Sequence, residues 1–388
     1  MKAVVYHGIG DIRLDRVSDP ALQAPSDAIL RITASAICGT DLHFVRGTMP
    51  DMQPGTIMGH EAVGIVEEVG KDVRNFRRGD RVVVPSTIAC GYCSYCRSGY
   101  QAQCDNSNPH GPQAGTAFFG GPKSTGPFDG LQAEYARIPY AAANLVKLPD
   151  DIDDDSAVML SDIFPTGYFG AEMAEITAGD TVVVYGCGPV GLFAIASARL
   201  KGADRIIAVD CVPDRLEMAR AQGAEVIDFT QDDPVEVING LTGGIGPDRA
   251  IDAVGIDAIK PPTIGNNSGW PEQRQWVPGD GPSQVLQWCV ESVAKAGTVG
   301  IIGVYPDDAK DFPIGMAMNK NLTIKMGNCN HRRYLPGLVD LVRSGAIEPT
   351  DILTKIAPLS SVIEAYKNFD RREAGWVKVK LEPETVPA

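Results

Sequence analysis

The pattern of hydrophobic and polar positions divides the chain into regions of different type. Up to about residue 150, short runs rich in Val and Ile are separated by Gly and Pro, as at 28–32, 62–69 and 80–85. Such runs between turn residues predict β-strands of an antiparallel, barrel-like domain. Residues 105–130 are rich in Gly, Pro, Asn and Ser and predict a long loop.

The pattern changes near residues 155–180, after which short apolar runs alternate with helical stretches. The predicted strands are 181–185, 205–210, 225–228, 249–254 and 297–303, with helices from the first strand to about residue 201 and at 213–222. Strands that alternate with helices predict an α/β fold with a doubly wound parallel sheet. The segment 329–388 returns to mixed structure and ends in a predicted strand at 376–381.

One segment interrupts this alternation. Residues 256–282 contain prolines at 261, 262, 271, 278 and 282 and tryptophans at 270 and 276, where a short link from strand to helix is expected. Loops of this length in a compact domain are usually functional or disordered. We therefore treat 256–282 as an inserted loop, and an oligomer contact remains an alternative to a role at a ligand.

Composition limits the classes of partner. The 388 residues predict about two domains, and 35 basic against 49 acidic residues give a net charge of −14. This charge disfavours nucleic acid and anionic membranes as partners. No apolar run is long enough to span a bilayer, and the N-terminus lacks the features of a secretory signal. The expected location is the cytoplasm.

A glycine motif follows the first strand of the α/β region. Gly186, Gly188 and Gly191 form G-x-G-x-x-G, and Pro189 and Val190 begin the helix. The glycines allow a tight turn, close approach of a pyrophosphate and close packing of helix on strand. Asp210 ends the next strand about 20 residues later, where a carboxylate binds ribose hydroxyls and repels a 2′-phosphate. The sequence therefore predicts NAD in preference to NADP, with further cofactor contacts at Arg215, Ile302 and Val304.

Four of the nine cysteines lie close together in the sequence. Cys90, Cys93, Cys96 and Cys104 can surround one Zn²⁺ in a tetrahedron. Four thiolates leave no open coordination position, so we interpret the site as structural. An iron–sulfur cluster is the alternative, since it also uses four thiolates, although nothing else in the sequence indicates electron transfer.

A second group of metal-ligand types surrounds Cys38 and His60. Either residue alone would be interpreted as an ordinary core side chain. A thiolate and an imidazole, completed by one more ligand, would instead form a zinc site with an open position for water or a substrate oxygen. This is the arrangement of a catalytic zinc site.

Together these motifs resemble the zinc-containing medium-chain alcohol dehydrogenases. Gly59-His60-Glu61, the four cysteines, the glycine motif and Asp210 occur in the order found in that family, over almost the whole chain. The resemblance implies an α/β protein with a GroES-like β-barrel catalytic domain at 1–162, completed by 329–388. It also implies a Rossmann NAD-binding domain at 163–328 that carries the inserted loop. Family members suggest a homodimer or homotetramer.

The resemblance also implies roles for individual residues. Cys38 and His60 match two ligands of the catalytic zinc, and Asp162, in the stretch 161–168, matches the third. Glu61 matches a carboxylate beside the metal, and Asp41 matches the acid that orients His60. Thr40 and His43 match a proton relay, in which the Thr40 hydroxyl receives the alcohol proton and His43 delivers it to solvent through the nicotinamide ribose. Phe118 and Phe119 are candidates for the wall of the substrate cleft.

The implied activity is hydride transfer between an alcohol or aldehyde and NAD(H), assisted by zinc. The stretch 161–168 and the inserted loop also resemble glutathione-independent formaldehyde dehydrogenases, whereas 327–333 is more similar to general alcohol dehydrogenases. An aldehyde dehydrogenase or dismutase that holds NAD tightly is therefore the alternative, with loop 256–282 hindering NAD release. A polyol dehydrogenase is disfavoured because all four structural cysteines are present. A catalytically silent dinucleotide-binding protein or a zinc-free quinone reductase would be expected to lack zinc ligands.

Overall fold

The computed structural model describes residues 1–111, 115–126, 128–261 and 275–384. The chain forms two compact units. Unit 1 consists of Met1–Pro165 and the chain from Asn328 onward, and unit 2 is Thr166–Gly327. Residues 262–274 of the predicted insertion lie outside the described residues. None of the helices in the described part of the chain has the length and apolar character of a membrane span.

The helices and strands follow one another in this order. Before residue 174 they are β1 (Lys2–Gly8), β2 (Asp11–Arg16), β3 (Ala28–Ile37), α1 (Gly39–Arg46), β4 (Ala62–Val69), β5 (Arg81–Val84), α2 (Ser94–Arg97), β6 (Tyr135–Ile138), α3 (Ala141–Asn144), β7 (Val146–Lys147), α4 (Asp154–Ser161) and α5 (Ile163–Met173). Next come β8 (Thr181–Tyr185), α6 (Pro189–Leu200), β9 (Arg205–Asp210), α7 (Pro213–Ala221), β10 (Glu225–Asp228), α8 (Pro234–Leu241), β11 (Arg249–Asp252), α9 (Gln284–Ser292), β12 (Thr298–Ile301), α10 (Ile314–Asn319) and β13 (Thr323–Met326). The chain closes with α11 (His331–Arg343), β14 (Lys355–Pro358), α12 (Val362–Asp370) and β15 (Val379–Glu382), and short 3-10 turns lie at Gln101–Gln103, Lys123–Thr125, Pro349–Ile352 and Leu359–Ser361.

The main sheet of unit 1 is built around β3. Its strands run in the order β14-β15-β3-β4-β5-β7, with β6 also paired to β3, and all pairings except β14 with β15 are antiparallel. Side chains such as Leu30, Ile32, Val66 and Val82 pack into one apolar core with Phe119. Because β15 joins β3 antiparallel, the C-terminal segment completes the sheet that the N-terminal strands begin.

Unit 2 contains a six-stranded sheet in which every pairing is parallel. The strand order is β10-β9-β8-β11-β12-β13, the order of a doubly wound dinucleotide-binding fold. Strand β8 has the Val-rich sequence and near-continuous burial that parallel strands covered on both faces require. Carboxyl ends of β8 and β9 lie side by side, which brings the glycine motif next to Asp210. The predicted α/β fold with a doubly wound, Rossmann-type parallel sheet is confirmed, and unit 1 contains the predicted antiparallel strands.

Two predicted strands differ from the observed ones for identifiable reasons. The strand predicted at 376–381 begins at Val379 instead, because the N–H groups of Val377 and Lys378 donate to Thr354 Oγ1 at 2.9 and 3.0 Å. Strand β11 ends at Asp252 because that carboxylate accepts hydrogen bonds from the following N–H groups of Val254 and Gly255. In both cases a side chain takes hydrogen bonds that a longer strand would have used.

Candidate active site

The mixed group of thiol, imidazole and carboxylate is assembled at the ends of several elements of unit 1. Cys38 lies between β3 and α1, His60 lies just before β4, and Asp162 lies between α4 and α5. All three are buried. Their ligand atoms and a carboxylate oxygen of Glu61 lie within 4.8 Å of one another.

The separations within this group match the edges of a tetrahedral zinc site. Cys38 Sγ lies 3.6 Å from Asp162 Oδ2, and His60 Nε2 lies 3.5 Å from the same oxygen. Zinc–ligand bonds of about 2.3 Å to sulfur and about 2.0–2.1 Å to nitrogen or oxygen give tetrahedral edges of about 3.5 and 3.3 Å. The donor set and its geometry therefore fit a zinc ion.

Asp41 lies behind His60 on the side away from this group. Asp41 Oδ1 faces His60 Nδ1 at 3.2 Å, and among the described residues neither atom has another hydrogen-bond partner. Asp41 Oδ2 accepts hydrogen bonds from the Cys38 N–H and from Gln132 Nε2. A carboxylate in this position fixes the ring orientation of a ligating histidine and keeps Nε2 directed at the metal.

Glu61 forms a buried ion pair. Lys378 Nζ donates to its two carboxylate oxygens at 2.7 and 2.6 Å and also to the carbonyl oxygen of Ile37, and both charged side chains are 0% exposed. Burial raises the pKa of Glu61, although Lys378 opposes that shift. The pairing holds the carboxylate beside the candidate metal ligands.

The surroundings favour the charged forms of Asp162 and His60 and the neutral thiol of Cys38. Burial raises the pKa of the Cys38 thiol to about 11, so a cation is needed to stabilise its thiolate. Burial works against ionised Asp162, but hydrogen bonds from His331 and His60 lower its pKa well below the usual value. Burial likewise disfavours protonated His60, and the charges of Asp41 and Cys38 outweigh it and raise the pKa. A bound zinc ion would replace that proton as the balancing positive charge.

The four clustered cysteines come together in a second site of unit 1. Cys90 Sγ lies 4.0 Å from Cys96 Sγ, and Cys93 Sγ lies 3.9 Å from Cys104 Sγ. Four zinc–sulfur bonds of about 2.3 Å give tetrahedral edges of about 3.8 Å. Backbone N–H groups of Cys90, Cys93 and Cys96 donate to the sulfurs of Cys104, Cys90 and Cys93. Burial nevertheless raises the pKa of the Cys90 thiol, so a cation is needed to stabilise its thiolate. The cluster fits a closed, structural zinc site.

The two proposed relay residues lie on α1. Thr40 is partly buried in the first turn, whereas His43 is buried, and its Nδ1 lies 3.2 Å from Thr48 Oγ1. Phe118 lies edge-on to the His60 ring with centroids 6.1 Å apart, as a wall of a site at His60 would. Phe119 is fully buried in the core of unit 1 and does not form such a wall.

In unit 2, the turn after β8 has the geometry that the glycine motif predicts. Gly186 has a φ of +89°, and a Cβ on Gly191 would lie 1.8 Å from the carbonyl oxygen of Gly186, so only glycine fits at either position. A Cβ on Gly188 would meet only the Arg215 guanidinium, at 3.8 Å, which leaves this backbone open to a ligand. Helix α6 begins with Pro189 and Val190 directly after Gly188. The open backbone at a helix N-terminus fits the pyrophosphate of a dinucleotide.

Asp210 closes the same turn. Its Oδ2 accepts the Cys187 N–H at 2.7 Å, and its Oδ1 accepts the N–H groups of Cys211 and Val212. Arg215 Nη1 lies 3.9 Å from Oδ2. The carboxylate therefore ties the glycine turn to the end of β9, with lone pairs left for ribose hydroxyls.

The other two cofactor candidates follow β12. Ile302 packs close to Gly170, and Val304 bridges to Gly255, accepting the Ile256 N–H at 2.8 Å. Both lie at the carboxyl edge of the parallel sheet, where ligands of such sheets bind.

Three residues at the mixed site were not identified from the sequence. Ser86, His331 and Lys378 contact Asp162 or Glu61, and the last two come from the C-terminal segment. A histidine at the start of a helix and a lysine just before the final strand carry no local motif. Only knowledge of the sheet pairing β15–β3 would have indicated that this segment reaches Cys38 and Glu61.

Comparison with known proteins supports the resemblance stated from the sequence and confirms the GroES-like domain. The profile of the alcohol dehydrogenase GroES-like domain matches residues 24–150, and that of the zinc-binding dehydrogenase family matches residues 189–261. The chain is 38% identical over 387 residues to an uncharacterised zinc-type alcohol dehydrogenase-like protein of Bacillus subtilis, covering 99% of this chain and 100% of that protein. It is 35% identical over 397 residues to a glutathione-independent formaldehyde dehydrogenase of Pseudomonas aeruginosa, covering 95% and 94%.

Two solved structures of alcohol dehydrogenases have a similar fold over the whole chain. An alcohol dehydrogenase from Thermus sp. ATN1 superposes with a TM-score of 0.84 at 34% identity, covering 99% of this chain and 100% of that one. A zinc-dependent alcohol dehydrogenase from Streptococcus pneumonia superposes with a TM-score of 0.83 at 33% identity, with full coverage of both chains.

Proposed function

The chain belongs to the zinc-type alcohol dehydrogenase family and is a zinc-dependent oxidoreductase, and from this premise we propose that it oxidises alcohols or reduces aldehydes with NAD(H). The observation that carries the proposal is the buried group of Cys38, His60 and Asp162, whose separations fit one zinc ion. When bound, zinc supplies the Lewis acid that lowers the pKa of a substrate hydroxyl, and nicotinamide supplies the hydride acceptor.

The protein residues would hold the metal, orient its ligands and transfer the proton. Cys38, His60 and Asp162 hold the metal, and Asp41 fixes the ring of His60. Thr40 Oγ1 would accept the proton of the substrate hydroxyl and release its own hydroxyl proton. His43 would deliver that proton to solvent after it passes a ribose hydroxyl of the cofactor. Glu61 is held beside these ligands by Lys378, and it would have to leave that lysine in order to approach a bound metal during ligand exchange.

NAD is the proposed dinucleotide because of Asp210. Its carboxylate, at the end of β9, would repel a 2′-phosphate and accept hydrogen bonds from ribose hydroxyls. Arg215, 3.9 Å from that carboxylate, is held by the acid and neutralises part of its charge. We place Gly186, Gly188, Pro189, Val190 and Gly191 at the pyrophosphate, and propose Ile302 and Val304 as further cofactor contacts.

We further propose a domain division at residues 1–162 with 329–388 and 163–328, borders that differ by at most three residues from those of the two compact units. We also propose a homodimer or homotetramer in the cytoplasm. Exposed apolar side chains support association: Ile314 and Met318 on α10 are 73% and 72% exposed, and Met326, at the end of the edge strand β13, is 65% exposed. Apolar patches next to an open sheet edge are typical of subunit contacts. None of the nine cysteines, all of which the structure describes, forms a disulfide, which supports a reducing compartment.

A panel of small alcohols and aldehydes, assayed with NAD and NADP together with zinc analysis, tests this function. The proposal requires turnover with NAD, weaker turnover with NADP, and two zinc ions per chain. Absence of turnover with every substrate by a protein that holds both zinc ions would contradict it.

The second candidate is an aldehyde dehydrogenase or dismutase with tightly held NAD. It is favoured by the 35% identity to a formaldehyde dehydrogenase across 95% of the chain. Aldehyde turnover without added NAD, and NAD that remains bound after dialysis, would favour this candidate. Ordinary exchange of NAD would exclude it.

A further inference from the structure

The two carboxylate oxygens of Asp162 face different partners. Oδ2 lies 3.6 Å from Cys38 Sγ and 3.5 Å from His60 Nε2. Oδ1 accepts hydrogen bonds from Ser86 Oγ and His331 Nε2, each at 2.8 Å. One oxygen is therefore directed at the candidate metal ligands, and the other is held by protein donors.

His331 is fixed in this position from several directions. It is the first residue of α11 and is almost fully buried, and the preceding Asn330 accepts the Ala102 N–H at 2.9 Å. Its Nδ1 lies 3.2 Å from Thr87 Oγ1. Because an ionised carboxylate can only accept, Nε2 carries the hydrogen in the bond to Asp162, and Nδ1 can accept from the Thr87 hydroxyl. The three groups form a chain of hydroxyl, imidazole and carboxylate.

His331 does not belong to the group that could surround one ion. The ligand atoms that lie within 4.8 Å of one another come from Cys38, His60, Glu61 and Asp162. The other acid of that group, Glu61, is bound through both oxygens by Lys378. Asp162 Oδ2 is thus the carboxylate oxygen directed at Cys38 and His60, and what occupies Oδ1 decides how Asp162 can coordinate.

We propose that His331, together with Ser86, is a positioning residue that reserves Oδ1 of Asp162 and so limits this carboxylate to one bond with zinc. The inference rests on the proposed function, since it assumes a zinc ion at Cys38, His60 and Asp162. A carboxylate can bind a metal through one or both oxygens. Binding through both would take the open position that a catalytic zinc keeps for water or substrate. Two donors on Oδ1 therefore keep the site open and fix the direction of Oδ2.

The test compares His331→Ala, His331→Gln, Ser86→Ala and Asp162→Ala with the wild-type protein. His7→Ala is the matched control, because His7 binds Asp15 on the strand pair β1–β2, which lies outside the site. Zinc affinity is measured by competition with a chromophoric chelator, and the catalytic site is also loaded with Co²⁺ to record its absorption spectrum. Zinc at the four cysteines serves as an internal check that unit 1 is folded.

We expect His331→Ala to weaken binding of the catalytic zinc about 10–100-fold, the usual effect of losing such a supporting group, and to change the Co²⁺ spectrum. Ser86→Ala weakens binding less, because the buried His331 imidazole, which also contacts Thr87, still donates to Oδ1. His331→Ala removes more, because Ser86 Oγ also loses the imidazole that lies 3.2 Å from it. His331→Gln, whose amide can still donate to Oδ1, restores most of the affinity. His7→Ala behaves as wild type.

Wild-type affinity and an unchanged Co²⁺ spectrum in both His331→Ala and Ser86→Ala would overturn the inference alone, provided that the wild type binds two zinc ions and Asp162→Ala binds one. If the wild type binds zinc only at the four cysteines, the proposed function fails and the inference fails with it.

Discussion

The two candidate zinc sites of unit 1 are built in contrasting ways. At the four-cysteine site, the contacting cysteines are separated by 6, 11 and 14 residues in the sequence. At the mixed site, Cys38 and Asp162 are 124 residues apart, and Glu61 and Lys378 are 317 residues apart. Closing a short loop costs little chain entropy, so the first site forms within one local segment. The second exists only when the whole unit is folded.

This difference corresponds to a difference in chemistry. Four thiolates complete a tetrahedron and exclude a substrate, so the local site can only stabilise the fold. One thiolate, one imidazole and one carboxylate leave a position open, and a folded framework is needed to hold that position open. The mixed site accordingly has supporting groups, and two of them, His331 and Lys378, are recruited from distant elements.

The largest expected effect comes from removing a ligand of the mixed site. Asp162→Ala is expected to lower kcat/KM for the alcohol at least about 10³-fold, or about 4 kcal/mol, because the Lewis acid is lost. The zinc content should fall from two ions per chain to one. Steady-state kinetics and metal analysis measure both quantities. Asp151→Asn, at an exposed pair with Arg343, is the control and should leave both unchanged. Near-normal turnover by Asp162→Ala would contradict the assignment of the mixed site as catalytic and of the four-cysteine site as structural.

Breaking the four-cysteine site should act on stability instead. Cys93→Ser is expected to lower the free energy of unfolding by about 4 kcal/mol, since loss of a structural metal is among the most destabilising changes. Denaturant unfolding measures it, with Ser94→Ala, an exposed neighbour, as control. The variant that remains folded should keep its catalytic zinc. If Cys93→Ser abolished turnover without loss of stability, the two sites would not have the separate roles assigned here.

The sequence predicts these two sites to different extents, for the same reason that they differ in structure. Cys90, Cys93, Cys96 and Cys104 lie in one segment, so their spacing alone predicts a metal site. Cys38, His60 and Asp162 could be joined only through resemblance to a family, because no spacing rule links residues 124 positions apart. The supporting residues His331 and Lys378 could not be identified at all, since their positions depend on α11 and on the pairing of β15 with β3.

The fold was easier to predict from the sequence than the mixed site. The Val-rich run of β8, the glycine turn and Asp210 are local patterns that determine a parallel sheet and its ligand edge. Strand ends were less predictable where side chains compete for backbone hydrogen bonds, as Thr354 does for Val377 and Lys378.

A smaller stability effect is expected from the buried ion pair behind the mixed site. Lys378→Met should lower the free energy of unfolding by about 3 kcal/mol, because it leaves the Glu61 carboxylate buried without a counter-charge. Thermal or denaturant unfolding measures the effect. The matched control is Lys325→Met, whose exposed pair with Glu175 should contribute less than about 1 kcal/mol. A double variant, Glu61→Gln with Lys378→Met, should recover part of the loss. If Lys378→Met and Lys325→Met lowered the free energy of unfolding equally, burial of the Glu61–Lys378 pair would not be the cause of the effect.

The smallest expected effect lies outside both metal sites, in unit 2. Asp210→Asn keeps the shape of the side chain but removes the charge that selects NAD. We expect the KM for NAD to rise about tenfold, as for loss of a hydrogen bond to a charged group. The ratio of kcat/KM with NAD to kcat/KM with NADP should decrease, because the charge that repels a 2′-phosphate is gone. Both zinc ions should remain, so the variant separates loss of cofactor recognition from loss of metal. Unchanged discrimination between NAD and NADP would argue against the role of Asp210.

The account depends most directly on a zinc ion held by Cys38, His60 and Asp162. Anomalous diffraction at the zinc absorption edge, from crystals of the wild-type protein, tests this without reference to activity. We predict two peaks per chain, one among the four cysteines and one within bonding distance of Cys38 Sγ, His60 Nε2 and Asp162 Oδ2. A single peak at the four cysteines, from crystals grown with excess zinc, would contradict the account.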